Sequence, residues 1–160
     1  MQRDAEKMLL ENIAIRLGNN SKDIPNEPIT GFMAMAGKLY THELMVIGRA
    51  VNGWTKTWLP SELKDKGNIC QFINGVVESV TDPVQCPMRW VSDSWQNNDH
   101  GYNTRRSAFW RCIRSAVGVL SIADIQNPEW PSHLVWSNLY KIAPRGGGRQ
   151  SVRNSLLSSI

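Results

Sequence analysis

Two short glycine-bearing segments hold the residue types best suited to chemistry in this chain of 160 residues. The first is Gly48-Arg49-Ala50-Val51-Asn52-Gly53-Trp54. Glycines flanking a tight turn let backbone amides approach an anion or a base closely. Asn52-Gly53 favours positive φ, Arg49 is suited to holding a phosphate, and Trp54 offers a ring on which a base can stack. The segment is neither a phosphate-binding P-loop nor a G-x-G-x-x-G fingerprint, so it gives no support to a nucleotide cofactor. Taken alone, it reads equally well as an ordinary turn after a strand.

The second segment begins at Ser137-Asn138. An asparagine at a strand end presents one donor and one acceptor on a single amide. That pair matches N3–H and O4 of uracil or thymine, and also the N6/N7 edge of adenine. Lys141, Arg145 and Arg149 follow at a spacing that could track a phosphate backbone, and Gly146-Gly147-Gly148 permits close approach. The bland alternative makes Asn138 a turn residue bonded to its own backbone.

Metal chemistry finds little footing. Cys70, Cys86 and Cys112 are odd in number and widely spaced, with no C-x-x-C pair, and His42, His100 and His133 lie far apart. Reduced thiols, no metal site and no cofactor are expected. Asp99-His100 could supply an acid and a base to a nucleoside- or glycoside-cleaving enzyme, a reading that rests on sequence adjacency alone.

Charge and aromatic content point to a polyanion. The net charge is +4, but residues 1–100 carry ten Lys/Arg against twelve Asp/Glu, while residues 101–160 carry eight against Asp124 and Glu129. A basic second half suits a polyanion such as nucleic acid, with single-stranded DNA the partner expected if the chain handles nucleobases; a solvated basic face is the alternative. Seven tryptophans are present, at positions 54, 58, 90, 95, 110, 130 and 136. Most are expected in the core, but tryptophan-rich loops could also make a non-enzymatic protein- or nucleic-acid-interaction module.

The elements that must position these residues follow from periodicity. Residues 3–17 read as an amphipathic helix with Ala5, Met8, Leu9, Ile13 and Leu17 on its apolar face and Gly18 as its stop. Leu44-Met45-Val46-Ile47-Gly48 is a short apolar run, read as a strand covered on both faces. Residues 61–80 read as a helix in two pieces, interrupted at Gly67-Asn68, and 81–102 as a long irregular loop. Residues 104–121 give the clearest helical stripe, on Phe109, Cys112, Ile113, Ala116, Val117 and Leu120, and 133–138 a second strand. Helix, strand, helix, helix, strand predicts an α/β fold with a parallel sheet, and both glycine-bearing segments would then open from the carboxyl edge of that sheet. No domain boundary is evident, so residues 1–160 are expected to form one domain, with 149–160 as a tail. Mean hydropathy is −0.35 and no apolar run approaches the ~20 residues that cross a bilayer. Met1–Lys7 mixes charges without the apolar stretch of a secretory signal, so a cytoplasmic protein with no membrane partner is expected.

Val135-Trp136-Ser137-Asn138-Leu139-Tyr140-Lys141-Ile142-Ala143-Pro144-Arg145, closed by Gly148-Arg149, resembles the second-strand segment of the uracil-DNA glycosylase superfamily, in which a strand ends in Thr/Ser-Asn and runs through a lysine to a proline-rich, arginine-ending loop. Residues 44–54 look like its first strand and catalytic loop. The resemblance implies a three-layer α/β/α domain with a small, mainly parallel sheet that flips uracil out of DNA and hydrolyses its N-glycosidic bond. It implies Asn138 as the base-reading amide beside Trp54, and Asn52 as the group that positions the water. Gly48, Arg49, Gly53, Ser137, Lys141, Arg145 and Arg149 would lie along sugar and phosphate. The family pattern continues with a histidine-bearing strand and a wedge loop that residues up to 160 do not contain, so a truncated or divergent member with an incomplete sheet is expected. Position 50, where active members carry Asp, Asn or Glu, is alanine. An amide such as Asn52 can orient water but cannot take its proton, so slow hydrolysis or none is expected.

Overall fold

The computed structural model describes residues 2–50, 56–81, 85–97 and 102–145. Helices α1 (Gln2–Asn19), α2 (Lys66–Ser79), α3 (Arg89–Asn97) and α4 (Ala108–Val119) are interspersed with strands β1 (Ile29–Gly31), β2 (Met35–Ala36), β3 (Leu44–Ala50), β4 (Leu134–Tyr140) and β5 (Ile142–Pro144). Short 3-10 turns occupy Pro60–Lys64 and Trp130–His133. With 47% of the described residues helical and 17% in strands, the class is α/β. The strands form two small sheets, β1-β5 and β2-β4-β3. Both pairings with a defined register run antiparallel, Ile29 opposite Pro144 and Met35 opposite Trp136, where a single parallel sheet was expected. The difference lies in β1, β2 and β5, which are two or three residues long and too short to leave a period in the sequence.

The chain divides into two compact units. Among the described residues, 2–34, 49–50, 56–80 and 138–145 make the first, and 35–48 with 81, 85–97 and 102–137 the second.

In the first unit, α1 packs against the 60–64 turn and α2, and α2 packs against β1. Leu10, Ile13, Ala14 and Leu17 are buried, whereas Met8 and Leu9 stay exposed, so the apolar face is rotated from the one the sequence suggested. Leu10 and Ala14 extend the stripe set by Ile13 and Leu17. Gly18 does not stop the helix. A Cβ there would lie 2.2 Å from the Leu63 carbonyl oxygen, so glycine is required for the close approach of the 60–64 turn. Asp65 separates that turn from α2 and caps it, its Oδ1 accepting the Asn68 N–H at 3.1 Å. Ile69, Phe72 and Val76 then form the buried stripe.

β4, whose residues 134–137 belong to the second unit and 138–140 to the first, lies between β2 and β3. Leu134 to Asn138 are buried without interruption, the both-faces-covered pattern expected for the other strand. The edge strand β3 instead exposes Met45 (44%) and Ile47 (59%). Gly37 sits where a Cβ would come 2.1 Å from the Ser132 carbonyl oxygen, which lets the chain after β2 run beside the start of β4. Helix α3 occupies part of the predicted 81–102 loop. Helix α4 starts at a Ser107 cap and buries Trp110, Ile113 and Val117, leaving Cys112 and Leu120 exposed. No described helix is long and apolar enough to cross a membrane.

Candidate functional site

Strand β4 positions Ser137 and Asn138 and continues two residues past them. Asn138 therefore lies inside a strand, which removes the reading of it as a self-capping turn residue. Ser137 and Asn138 are each only 3% exposed, and the next residue, Leu139, turns out to solvent at 68%. The Nδ2 of Asn138 is buried and has no hydrogen-bond partner among the described residues. An amide N–H shielded from water and left without an acceptor costs about 1–3 kcal/mol, so natural folds retain few of them.

Three residues on, Lys141 separates β4 from β5. Its carbonyl accepts the Phe32 N–H at 2.8 Å, tying the reversal to the residue after β1. Its ammonium lies 2.7 Å from Glu6 Oε1 on α1, with side chains 13% and 17% exposed. Glu6 Oε2 also accepts the Ala34 N–H at 3.0 Å. One carboxylate thus holds a backbone amide from the β1–β2 connection and the cation that follows β4. The Lys141 charge is compensated inside the fold, unlike the free phosphate contact its spacing suggested. Glu6 escaped the sequence reading because it is 135 positions from its partner and belongs to no motif.

The remaining candidates are distributed as follows. Gly48 (half-buried) and Arg49 (exposed) belong to β3, which runs two residues beyond the predicted start of the loop. Arg145 is exposed, and its backbone N–H donates to the Pro28 carbonyl at 2.8 Å. Asn52, Gly53, Trp54 and Arg149 lie outside the described residues, as do Gly146-Gly147-Gly148, Asp99-His100 and the 149–160 tail. Among the described residues no group of three His, Cys, Asp or Glu is arranged to hold a metal ion, and Cys70, Cys86 and Cys112 are free thiols.

The tryptophans of the second unit turn inward. Trp90, Trp110 and Trp136 meet with ring centroids 5.4–5.5 Å apart, and Trp95 packs edge-on to Trp130 at 6.4 Å. Trp110, Trp130 and Trp136 are buried, which leaves them little face to offer a partner.

No protein-family model, no curated protein and no solved structure matches this chain.

Proposed function

We propose that this chain is a uracil-DNA glycosylase-like domain that holds a nucleobase from single-stranded or flipped-out DNA, with Asn138 as the base-reading amide. The observation that carries the reading is the buried, unpartnered Nδ2 of Asn138 on β4. A pyrimidine carbonyl would supply the missing acceptor, and the amide oxygen would take the adjacent ring N–H. Because Nδ2 is covered, a base edge must displace that cover to reach it, so binding and a local opening form one event.

In this reading Trp54 stacks on the base and Asn52 orients the water. Gly48, Arg49, Gly53, Ser137, Arg145 and Arg149 follow sugar and phosphate. Lys141, neutralised by Glu6, fixes the β4–β5 reversal instead of gripping phosphate. A three-layer arrangement with β3 and β4 as its parallel pair, and a cytoplasmic location, belong to the same proposal. With Ala50 in place of a carboxylate or amide, turnover is slow or absent, and recognition outlasts catalysis.

The test is a pair of single-stranded oligonucleotides that differ by one uracil or cytosine. Wild type should prefer uracil by about tenfold, the scale of one bidentate base contact. Asn138→Ala should remove that preference while leaving general DNA affinity nearly unchanged. Equal preference in both proteins would overturn the base-reading role. Alkali-labile product from the uracil strand at high protein concentration separates a hydrolase from a binder.

A further inference from the structure

We propose that the amino end of α4 is a contact surface for the backbone of single-stranded nucleic acid, built from Tyr102, Arg105, Arg106 and Arg111 and independent of base identity. Residues 101–123 contain four arginines and not one acidic residue. Three of them, Arg105, Arg106 and Arg111, are exposed, and none is paired with a described carboxylate. Arg89, on α3, behaves differently and reaches its own Asp93 at 3.6 Å. Arg114 is turned inward, its Nη2 donating to the Ile125 carbonyl at 2.7 Å while its guanidinium sits 5.0 Å from the Trp95 ring centre. The division is informative: one arginine is used to hold the fold, and the other three keep their charge for the outside.

Geometry gathers those three at one end. Arg105 and Arg106 lie in the turn before Ser107, which caps α4, and the Arg106 N–H is fixed by Asn103 Oδ1 at 3.0 Å. Arg111 is one helical turn past Ser107, and helical side chains lean back toward the amino end. Like charges brought together without a counter-ion among the described residues repel, so the arrangement is best matched by an external polyanion.

Tyr102 narrows the class of polyanion. Its hydroxyl donates to Ser107 Oγ at 2.9 Å, and its ring rests against Trp90 with centroids 6.4 Å apart, yet the residue remains 51% exposed. A ring fixed on one side and open on the other, among guanidinium groups, is a stacking platform with a charged track. Single-stranded nucleic acid uses both, whereas an acidic peptide uses only the charge.

The experiment titrates a fluorescent oligothymidine of about 15 nucleotides across a range of salt concentrations by anisotropy. Replacing the arginines together (Arg105→Gln, Arg106→Gln, Arg111→Gln) should weaken binding tenfold or more at low salt. The slope of log affinity against log salt should fall by about 2, near 0.7 for each phosphate no longer neutralised. Removing equal charge elsewhere (Lys22→Gln, Lys64→Gln, Lys66→Gln) should change the slope by less than about 0.5, and Tyr102→Ala should cost about fivefold. If the triple arginine variant does not fold, Arg106→Gln alone should lower the slope by about 0.7. An unchanged slope, an equal loss in the lysine control, or competition by polyglutamate as effective as by the oligonucleotide would each overturn the proposal. Uracil preference belongs to Asn138 and should survive in the arginine variant, so failure of this surface and failure of base reading are distinguishable.

Discussion

Thr104 and Asn138 are both sealed from water, at 0% and 3% exposure, and their polar atoms are treated in opposite ways. In the second unit, Thr104 Oγ1 donates to the Val91 carbonyl at 2.9 Å and its N–H donates to Ser94 Oγ at 3.2 Å. Ser94 Oγ in turn donates to the Tyr102 carbonyl. That network closes, and it joins α3 to the segment leading into α4. In the first unit, Asn138 leaves its Nδ2 open. A closed buried network specifies one packing arrangement. An open buried donor is a cost that a ligand can remove, and Ser21 Oγ and Arg114 Nε are also buried without a hydrogen-bond partner. Burial alone therefore does not separate a structural polar residue from a recognition residue.

Four single substitutions and one double-mutant cycle test this contrast. The largest effect is expected for Trp110→Ala, which empties the centre of the aromatic cluster in the second unit and should lower stability by about 3–5 kcal/mol in urea unfolding. Glu6→Gln should lower it by about 2 kcal/mol, because Lys141 is left as a mostly buried cation without its partner. A double-mutant cycle with Lys141→Met should recover part of that loss. Thr104→Val should remove about 1 kcal/mol by deleting the hydroxyl's hydrogen bond to the Val91 carbonyl. Asn138→Leu should have the smallest effect and the opposite sign, raising stability by about 1 kcal/mol or less while abolishing uracil preference. If Asn138→Leu destabilises the protein as much as Thr104→Val, the two residues play the same role and the contrast collapses.

The parts legible in the sequence were those governed by local spacing. The Ile69, Phe72 and Val76 stripe and the Leu44 and Leu134 strands all follow from residues that are neighbours in the chain, whereas the break expected at Gly67-Asn68 falls inside α2 and the helix starts after Asp65. The parts that were missed depend on distant partners. β1, β2 and β5 exist through cross-strand pairing and have no period of their own. The rotated face of α1 was set by the close approach of the 60–64 turn at Gly18, whose glycine looked like a stop signal. Helix α3 was hidden because the prolines and polar residues around it dominated the reading of 81–102. Both candidate segments were visible as residue types, and β4 does hold Asn138 at a buried position. The Glu6–Lys141 pair beside it could not be seen, since no local pattern links α1 to a residue so far along the chain.

That pair also imposes an order of events during synthesis. Helix α1 leaves the ribosome early, but Glu6 stays without its cation until position 141 has been made, roughly 7–27 s later at typical bacterial-to-eukaryotic elongation speeds. The amino-terminal helix can meet α2 well before that time. The segment just after the asparagine therefore gains its tie to α1 only once position 141 has been made.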